Sequence, residues 1–377
     1  MTVLFLSNYF NHHQKPFSDA MFRLLGENYH FVETEPMSAE RKSLGWGGIA
    51  YPSYVIRPEE AFAPETQAMI DSADVVIIGS APNSLVKNRI RKNKLVFRYA
   101  ERPFKQGMEW KKYLPRLILW NLRNPFWKPV YMLCASAYTA PDYAKMGLYL
   151  GKCYKWGYFP ETKHYDNVDE LIASKKPGSI LWVARFIDWK HPEIPLEIAR
   201  RLKEDGYSFT LNMIGNGELL DTTREQIASL GLSDYVHLLG AMSPEEVRSY
   251  MEQSQIFLFT SDRNEGWGAV LNESMNSACA VVASRAIGSV PFLIVDGVNG
   301  DIYEDGNIDD LYQKVKALLD HPARRIEKSK NAYTTITEEW NAETAAERFV
   351  ALAELFGKKC VKNSFADGLC SSIETGE

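Results

Sequence analysis

Short apolar runs alternate with segments of helical spacing in both halves of this sequence, and that alternation limits the possible folds most. In the first half, residues 3–7, 75–79 and 95–99 are apolar runs of strand length. The second half repeats the pattern more clearly, beginning at residues 180–184 and including residues 256–259. Strands that alternate with helices form parallel sheets whose two faces are both covered. The sequence therefore predicts an α/β fold with a parallel sheet in each half.

The middle of the chain interrupts this alternation. Residues 154–160 are punctuated by glycine and proline, and a chain of 377 residues is long enough for two domains. We expect a Rossmann-like domain in residues 1–155 and a second one in residues 160–340. A helix at about 341–357 can pack back on the first domain. Residues 358–377 are polar and lack periodicity, so they are expected to fray.

Composition argues against several classes of protein. No apolar run reaches the roughly 18 residues that a transmembrane helix needs, and the amino terminus lacks a basic leader and a cleavage site. The five cysteines are scattered, which fits a reducing compartment and argues against a disulfide framework or a zinc site. We therefore expect a cytoplasmic protein.

Charge is distributed unevenly along the chain. The formal net charge is −5, yet residues 85–131 hold 13 lysines and arginines against two acidic residues. Within this segment, residues 110–122 have amphipathic character and include tryptophans. Such a helix suits an anionic membrane surface, which predicts a peripheral protein on the inner face of the membrane. The alternative is an ordinary domain helix with solvated lysines, and no motif favours nucleic acid.

A glycine-containing stretch follows the apolar run 256–259. Gly266 and Gly268 precede a run of helical spacing, and Glu265 and Glu273 frame it. A glycine-rich helix start gathers free backbone N–H groups at the positive end of the helix dipole, which suits a phosphate. Eight residues of helix rise about 12 Å, roughly the span of a diphosphate with a sugar at each end. For Glu265 alone, a solvated helix cap is the simpler interpretation.

Cations and glycines follow two earlier strands of the second half. Arg185 and Lys190 come after the run 180–184, and Gly215 and Gly217 come after the next run. In parallel sheets ligands lie at the carboxyl ends of the strands. An arginine fork and a lysine point charge are suited to a diphosphate. The two glycines also have a simpler explanation, since a strand-to-helix turn needs glycine for backbone reasons.

In combination, these motifs resemble the retaining glycosyltransferases of the GT-B fold, in the large family often called group 1 or GT4. Glu265 and Glu273, separated by seven residues, resemble the family's glutamate signature. Residues 182–190 and 214–217 resemble its diphosphate-binding strand end and its second glycine turn. The match covers about residues 178 to 305. The resemblance implies two Rossmann-like domains facing a central cleft, with C-terminal helices.

The resemblance also assigns roles to residues. It implies that Arg185 and Lys190 bind the donor diphosphate and act in catalysis with Glu265, which holds the donor sugar. Glu273 binds the ribose hydroxyls, and the base lies near Leu239 and Met242. The implied donor-binding residues are Gly215, Gly217, Leu239, Met242, Gly266, Trp267, Gly268, Val270, Leu271 and Glu273.

The implied activity is retaining transfer of a hexose-type sugar from a UDP- or GDP-sugar to a saccharide or lipid-linked acceptor, in surface polysaccharide or glycolipid synthesis. No DxD motif is evident, so we expect neither a metal nor a cofactor. Alternatives are a nucleotide-sugar epimerase, a phosphorylase and a non-catalytic nucleotide-sugar-binding protein. An epimerase needs a different acid–base set, and a phosphorylase needs a pyridoxal lysine context that we do not find.

The first half departs from the family. The loop after residues 3–7 carries His12 and His13 where the family usually has a glycine-rich turn. Many relatives have a histidine after the strand that corresponds to residues 95–99, whereas this chain has Glu101 and Arg102. We predict that these four side chains lie on the acceptor or phosphate side. The alternatives are solvated histidines and a surface ion pair that contributes little to stability.

Overall fold

The computed structural model describes four parts of the chain, namely residues 1–38, 50–107, 110–357 and 365–374. The chain forms two units. Unit 1 comprises Met1–Glu161 and Trp340–Glu377, and unit 2 comprises Thr162–Glu339. No helix in the described ranges combines the length and the apolar content needed to span a bilayer.

Unit 1 is built on seven parallel strands in the order β3-β2-β1-β4-β5-β6-β7. The strands are β1 Val3–Ser7, β2 Tyr29–Glu33, β3 Val55–Ile56, β4 Val75–Ile78, β5 Leu95–Ala100, β6 Val130–Cys134 and β7 Cys153–Lys155. The helices are α1 Lys15–Leu25, α2 Pro64–Ser72, α3 Ser84–Arg91, α4 Trp110–Arg123 and α5 Thr139–Ala144. The central strands β1 and β4 are buried along their whole length, as expected for a parallel sheet covered on both faces.

Unit 2 is built on six parallel strands in the order β10-β9-β8-β11-β12-β13. The strands are β8 Ser179–Val183, β9 Thr210–Ile214, β10 Val236–Gly240, β11 Ile256–Phe259, β12 Ala280–Ser284 and β13 Asp301–Tyr303. The helices are α6 Val168–Ser174, α7 Glu193–Glu204, α8 Leu220–Ser229, α9 Pro244–Gln253, α10 Val270–Asn276, α11 Val290–Leu293, α12 Ile308–Asp320 and α13 Pro322–Thr334. A 3₁₀ turn spans Asp188–Lys190, and a π-helix spans Thr335–Glu339.

Both sheets have the strand order of a Rossmann fold. In each of them the chain reverses its direction of travel across the sheet, between β1 and β4 in unit 1 and between β8 and β11 in unit 2. Ligands of open α/β sheets bind at such a switch point, beyond the carboxyl ends of the strands. The loops that follow these four strands are therefore the places to examine for a site.

The helix of the glycine-containing stretch begins later than the sequence indicated. Helix α10 starts at Val270, because Gly268 has a φ of +83°, outside the helical region. Glu265 consequently lies in the loop after β11, and only Glu273 is helical. The predicted helical rise between the two glutamates is wrong.

The last helix, α14 Ala342–Gly357, belongs to unit 1. Its Phe349 ring lies 5.2 Å from the ring of Phe97 on β5 and 5.9 Å from that of Trp156. Apolar burial of this kind fixes a terminal helix on a sheet face.

Part of the predicted frayed tail is ordered. Residues 370–373 pair antiparallel with β7: Cys370 N donates to Lys155 O, and Ile373 N donates to Cys153 O, both at 2.9 Å. Leu369 and Cys370 are fully buried. The prediction of a frayed tail is wrong for this stretch, while residues 358–364 and 375–377 lie outside the described residues.

Candidate functional site

Two loops at the switch point of unit 2 are joined by hydrogen bonds. One follows β8 and the other follows β11. The Thr260 hydroxyl donates to the Lys190 carbonyl at 2.8 Å, and Asp262 N donates to the Trp189 carbonyl at 3.1 Å. The buried Trp182 holds Thr260 in turn, with its indole N–H 2.9 Å from the hydroxyl oxygen. The side chains of both loops are thus presented at one edge of the sheet.

Lys190 and Glu265 form an ion pair across these loops. Their side chains are only 12% and 11% exposed, so water screens this pair less than it screens a surface pair. Ser261 donates a further hydrogen bond to Glu265 Oε2, the oxygen that also bonds Lys190, at 3.2 Å. Glu265 Oε1 has no hydrogen-bond donor among the described residues. The contacts at Oε2 therefore orient the carboxylate, and Oε1 is available to accept a hydrogen bond from a hydroxyl group.

Arg185 supplies a second cation beside this pair. Its guanidinium carbon lies 5.8 Å from the centre of the Trp189 ring, and Lys190 Nζ lies 4.4 Å from the same centre. An indole face attracts cations at such distances. Arg185 is exposed, and no carboxylate of the described residues pairs with it. The predicted residues Arg185, Lys190 and Glu265 are thus brought together, with the net charge of the three being positive.

Gly215 and Gly217 are required by the backbone. Their φ angles are +144° and +156°, and a Cβ at Gly215 would lie 1.9 Å from the Ala184 carbonyl oxygen. At Gly217 it would lie 2.3 Å from the Phe186 carbonyl oxygen. This close approach accounts for both glycines, and their contact with a donor stays a prediction.

The start of α10 offers fewer backbone donors than we expected. The N–H of Leu271 donates to the Gly268 carbonyl at 3.0 Å. The N–H groups of Gly268, Ala269 and Val270 have no acceptor among the described residues. A Cβ at Gly268 would lie 2.4 Å from the Phe259 ring, so this turn also needs glycine.

Two predicted donor-binding side chains are unsuited to direct contact. Trp267 and Leu271 are fully buried, and the Trp267 indole N–H donates to Asn272 Oδ1 at 2.9 Å. Gly266 is also buried. Only the backbone of these residues is suited to face a ligand, because their side chains serve the core.

Glu273 lies in the first turn of α10. Burial raises the pKa of its carboxyl group, and the nearby Arg248 opposes this shift. The Arg248 guanidinium donates to the Glu273 backbone carbonyl at 3.1 Å. The Glu273 carboxylate has no hydrogen-bond partner among the described residues. Leu239 and Met242, at and beyond the end of β10, are half-buried.

Unit 1 has a cavity of about 430 Å³ at the carboxyl ends of β1, β4 and β5. Its lining includes Asn8, His13, Gln14, Glu101, Arg102 and Lys105. Amides, an imidazole and charged groups of both signs are suited to a ligand rich in hydroxyl groups.

Glu101 and Arg102 do not pair with each other. Glu101 accepts a hydrogen bond from the Tyr158 hydroxyl at 2.6 Å and forms an ion pair with Lys105. Arg102 Nε lies 3.2 Å from the buried carboxylate of Asp142. The alternative of a surface Arg–Glu pair is therefore wrong, and Arg102 anchors the wall of the cavity.

The two histidines differ in their relation to this cavity. His13 lines it, whereas His12 does not. Burial lowers the pKa of both imidazoles, and burial together with the neighbouring His12 lowers the pKa of His13 to about 3. His13 is therefore neutral at physiological pH and is suited to hydrogen bonding rather than to charge pairing.

Helix α4 has two apolar faces. Leu117 and Trp120 pack against the core of unit 1, and the Trp120 ring lies 5.5 Å from that of Tyr143. Trp120 is therefore no candidate for an interfacial tryptophan. Leu114, Ile118 and Leu122 are exposed on the other face. Residues 108 and 109 and the side chains of residues 110–113 lie outside the described residues.

Sequence reasoning missed several members of both sites. Trp189, Thr260, Ser261, Lys105 and Tyr158 were not among the predicted site residues. The signal for Thr260 and Ser261 was their position directly after a buried strand, where polar residues face the ligand edge. Tyr158 gave no comparable signal, because its contact with Glu101 joins residues 57 positions apart.

The paired Rossmann sheets define the fold class, and solved structures agree. Over 95% of this chain and 99% of the other, the crystal structure of Anabaena Alr3699/HepE in complex with UDP superposes with a TM-score of 0.66 at 14% identity. TarM gives a TM-score of 0.67 at 12% identity, over 93% of this chain and 98% of the other. The fold is GT-B, which confirms the predicted fold class.

The family model matches unit 2 of the chain. Residues 166–335 match the family model described as Glycosyl transferases group 1. An uncharacterized glycosyltransferase, MJ1178 of Methanocaldococcus jannaschii, is 30% identical over 145 residues, 38% of this chain and 39% of the relative. The amylovoran biosynthesis glycosyltransferase AmsK of Erwinia amylovora is 29% identical over 187 residues, 48% of this chain and 46% of the relative. The chain thus matches less than half the length of either relative. Unit 2 is therefore similar to the group 1 glycosyltransferases, and the chain has the GT-B fold.

Proposed function

We propose that this protein is a retaining glycosyltransferase that moves a hexose-type sugar from a UDP- or GDP-sugar to a saccharide or lipid-linked acceptor. The observation that carries the proposal is the cluster of Arg185, Lys190 and Glu265 at the switch point of unit 2. A role in surface polysaccharide or glycolipid synthesis is supported by AmsK and by the lipopolysaccharide outer core galactosyltransferase WaaB, whose structure has a TM-score of 0.66 at 16% identity over 95% of this chain and all of that one.

The donor is proposed to bind along the edge of the unit 2 sheet. Arg185, Lys190 and the free backbone N–H groups at Gly268–Val270 bind the diphosphate, whose charge of about −2 they complement. Glu273 accepts hydrogen bonds from the ribose hydroxyls, and Glu265 Oε1 accepts one from the donor sugar. The base lies near Leu239 and Met242.

Catalysis is proposed to come from electrostatic stabilisation of the leaving group. Cleavage of the bond between the anomeric carbon and the phosphate oxygen leaves positive charge on the sugar and an additional negative charge on the diphosphate. Lys190 and Arg185 bind the diphosphate more strongly as that charge develops, which lowers the barrier. The acceptor oxygen then attacks the same face of the sugar, and its proton passes to the departing phosphate oxygen. These two cations take the role that a divalent ion has in other transferases, so no metal or cofactor is required.

The cavity of unit 1 is proposed to bind the acceptor. The Glu101 carboxylate lies in the wall of this cavity, where Tyr158 and Lys105 hold it. A carboxylate in that position can accept a hydrogen bond from an acceptor hydroxyl, and the neutral His13 can donate or accept another.

A screen of nucleotide sugars tests the donor proposal. A ligand that binds only the folded protein stabilises it by about 2.7 kcal/mol at a hundredfold excess over Kd. We expect one UDP- or GDP-sugar to raise the melting temperature of the wild type by several degrees. Glu273→Ala should reduce this shift, because the ribose hydroxyls lose their acceptor, whereas the exposed Glu245→Ala should retain it. Equal shifts in both variants would contradict the assignment of Glu273.

We also propose a peripheral location on an anionic membrane surface, through an apolar patch on unit 1. This patch consists of Leu114, Ile118, Leu122, Phe126 and Trp127, with Leu122 and Trp127 being 73% and 80% exposed. Basic residues border it: Arg123 is exposed, and Lys128 Nζ bonds the carbonyl of the exposed Arg91 at 3.0 Å. Apolar groups ringed by cations suit the interface of an anionic bilayer.

Vesicle sedimentation tests the membrane proposal. We expect the protein to sediment with vesicles of phosphatidylcholine and phosphatidylserine and to be released by 0.5 M salt, a concentration of about this order being enough to screen surface charges. Phe126→Ser with Trp127→Ser should abolish sedimentation, and the exposed Phe62→Ser, outside the patch, should not. Equal recovery on pure phosphatidylcholine vesicles would refute an anionic partner.

A further inference from the structure

His191 has a backbone conformation that side chains rarely adopt. It ends the 3₁₀ turn Asp188–Lys190 with a φ of 54° and a ψ of 59°, in the left-handed region. A residue other than glycine pays about 1 kcal/mol for this conformation. Since His191 directly follows Lys190, the backbone conformation of His191 also affects the position of Lys190. The cost indicates that the His191 side chain makes compensating contacts.

Those contacts join the two loops of the unit 2 site. His191 Nδ1 lies 2.8 Å from Glu193 Oε1, and Nε2 lies 3.7 Å from Asp262 Oδ2. Asp262 is held in place by the backbone N–H of Asn264, at 2.7 Å. The imidazole therefore bridges the loop that carries Lys190 and the loop that carries Glu265.

The charged surroundings of His191 are mainly acidic. Glu193 at the start of α7, Asp262 after β11 and Asp305 after β13 face it, and all three raise its pKa, with the Glu193 hydrogen bond as the largest cause and burial opposing them. On its own loop the neighbouring cation is Lys190. A protonated ring can donate from both nitrogens at once, to Glu193 and towards Asp262, whereas a neutral ring has only one N–H.

We propose that protonated His191 is a positioning residue, which holds the Lys190 loop on the Asp262–Glu265 loop and thereby couples donor binding to pH. This inference rests on the proposed function of the unit 2 site. The sign follows from the shift: a histidine whose pKa is raised by its partners contributes stabilisation that is complete at low pH and is lost as the pH rises through that pKa. Binding of the donor diphosphate should therefore weaken between about pH 6 and pH 8, around the ordinary histidine pKa and above it.

Calorimetric titration with UDP-glucose and with GDP-mannose at pH 6, 7 and 8 tests the coupling. Neither diphosphate diester changes its own charge in this range. We expect the wild-type affinity for the donor that binds to fall about five- to tenfold from pH 6 to pH 8, at the low end of the usual coupling between two sites. His191→Gln, which cannot protonate, and His191→Gly, which suits the left-handed backbone, should both lose this dependence. His237→Gln removes an exposed histidine of β10 and should keep it.

The ligand-free protein provides the second measurement. We expect the pKa of the His191 imidazole, followed by NMR, to lie above its ordinary value in the wild type and to fall in Asp262→Asn. A uniform loss of affinity at all pH values in His191→Gln, or a His191 pKa that Asp262→Asn leaves unchanged, would overturn the proposal. If no UDP- or GDP-sugar binds at any pH, the proposed donor site fails, and the NMR titration still decides whether the bridge exists.

Discussion

Replacing Lys190 by alanine is expected to reduce sugar transfer about a thousandfold, the largest effect of any single substitution in the site. Removal of one well-placed electrostatic donor typically costs about 10²–10³ in kcat. Lys190 is expected at the upper end of this range because its side chain is 12% exposed, so that water screens its charge poorly. Its loss also leaves the Glu265 carboxylate unpaired beside the diphosphate, which adds repulsion to the lost attraction.

Steady-state kinetics with matched variants checks this expectation. Lys176→Ala removes an exposed lysine elsewhere in unit 2 and should change kcat/KM less than about twofold, as surface substitutions usually do. Lys190→Ala should lower kcat and kcat/KM together, the pattern of an interaction that strengthens in the transition state. A Lys190→Ala enzyme that retains more than a tenth of wild-type kcat would show that the leaving group is stabilised elsewhere.

Glu265→Gln is expected to give the second largest effect, a loss of about a hundredfold in kcat with little change in affinity for the nucleotide diphosphate. Glutamine preserves the shape of the side chain but cannot form the ion pair with Lys190. Both the sugar and the lysine are then oriented less well. The nucleotide diphosphate lacks the sugar that Glu265 is proposed to hold, and a released Lys190 is expected to bind its phosphates at least as well. Effects confined to the sugar step appear in kcat rather than in product affinity.

Product inhibition by the nucleotide diphosphate, measured beside kcat, separates these two effects. The exposed Glu245→Gln serves as the control, since it changes the same functional group at a position outside the site. If Glu265→Gln weakens the nucleotide diphosphate tenfold while kcat hardly changes, Glu265 is a residue of the diphosphate site rather than of the sugar site.

Much of unit 2 could be predicted from its sequence. Its central strands β11 and β12 are apolar runs that are buried along their whole length, and such runs differ clearly from amphipathic helices such as α7. In unit 1, β6 and β7 were not predicted. Strand β6 begins at the end of the basic segment, and β7 has only three residues, too few for a pattern to emerge. The ordered tail was missed because its partner, β7, lies more than 200 residues earlier in the chain.

In the site, too, features with a local sequence pattern could be predicted, and contacts between residues distant in sequence could not. Arg185, Lys190 and Glu265 could be predicted because each follows a strand end, and parallel strands bring their carboxyl ends to one edge. The partner of Arg102 could not be predicted, since Asp142 lies 40 residues away in the sequence. The late start of α10 depends on one glycine, Gly268, which has a positive φ and lies so close to the Phe259 ring that a Cβ would not fit. Contacts of this kind are determined by packing rather than by local propensity.

The release of nucleotide diphosphate is the measurement that tests the central claim most directly. The assay uses the UDP- or GDP-sugar that stabilises the protein most, in a chelating buffer, with and without extracted glycolipid and saccharide acceptors. We predict release that depends on an acceptor, persists in the chelator and falls about a thousandfold in Lys190→Ala. Full loss of release in the chelator would contradict a metal-independent mechanism. Tight donor binding without release under any of these conditions, with or without added divalent ions, would instead indicate a nucleotide-sugar-binding protein and contradict the assignment as a transferase.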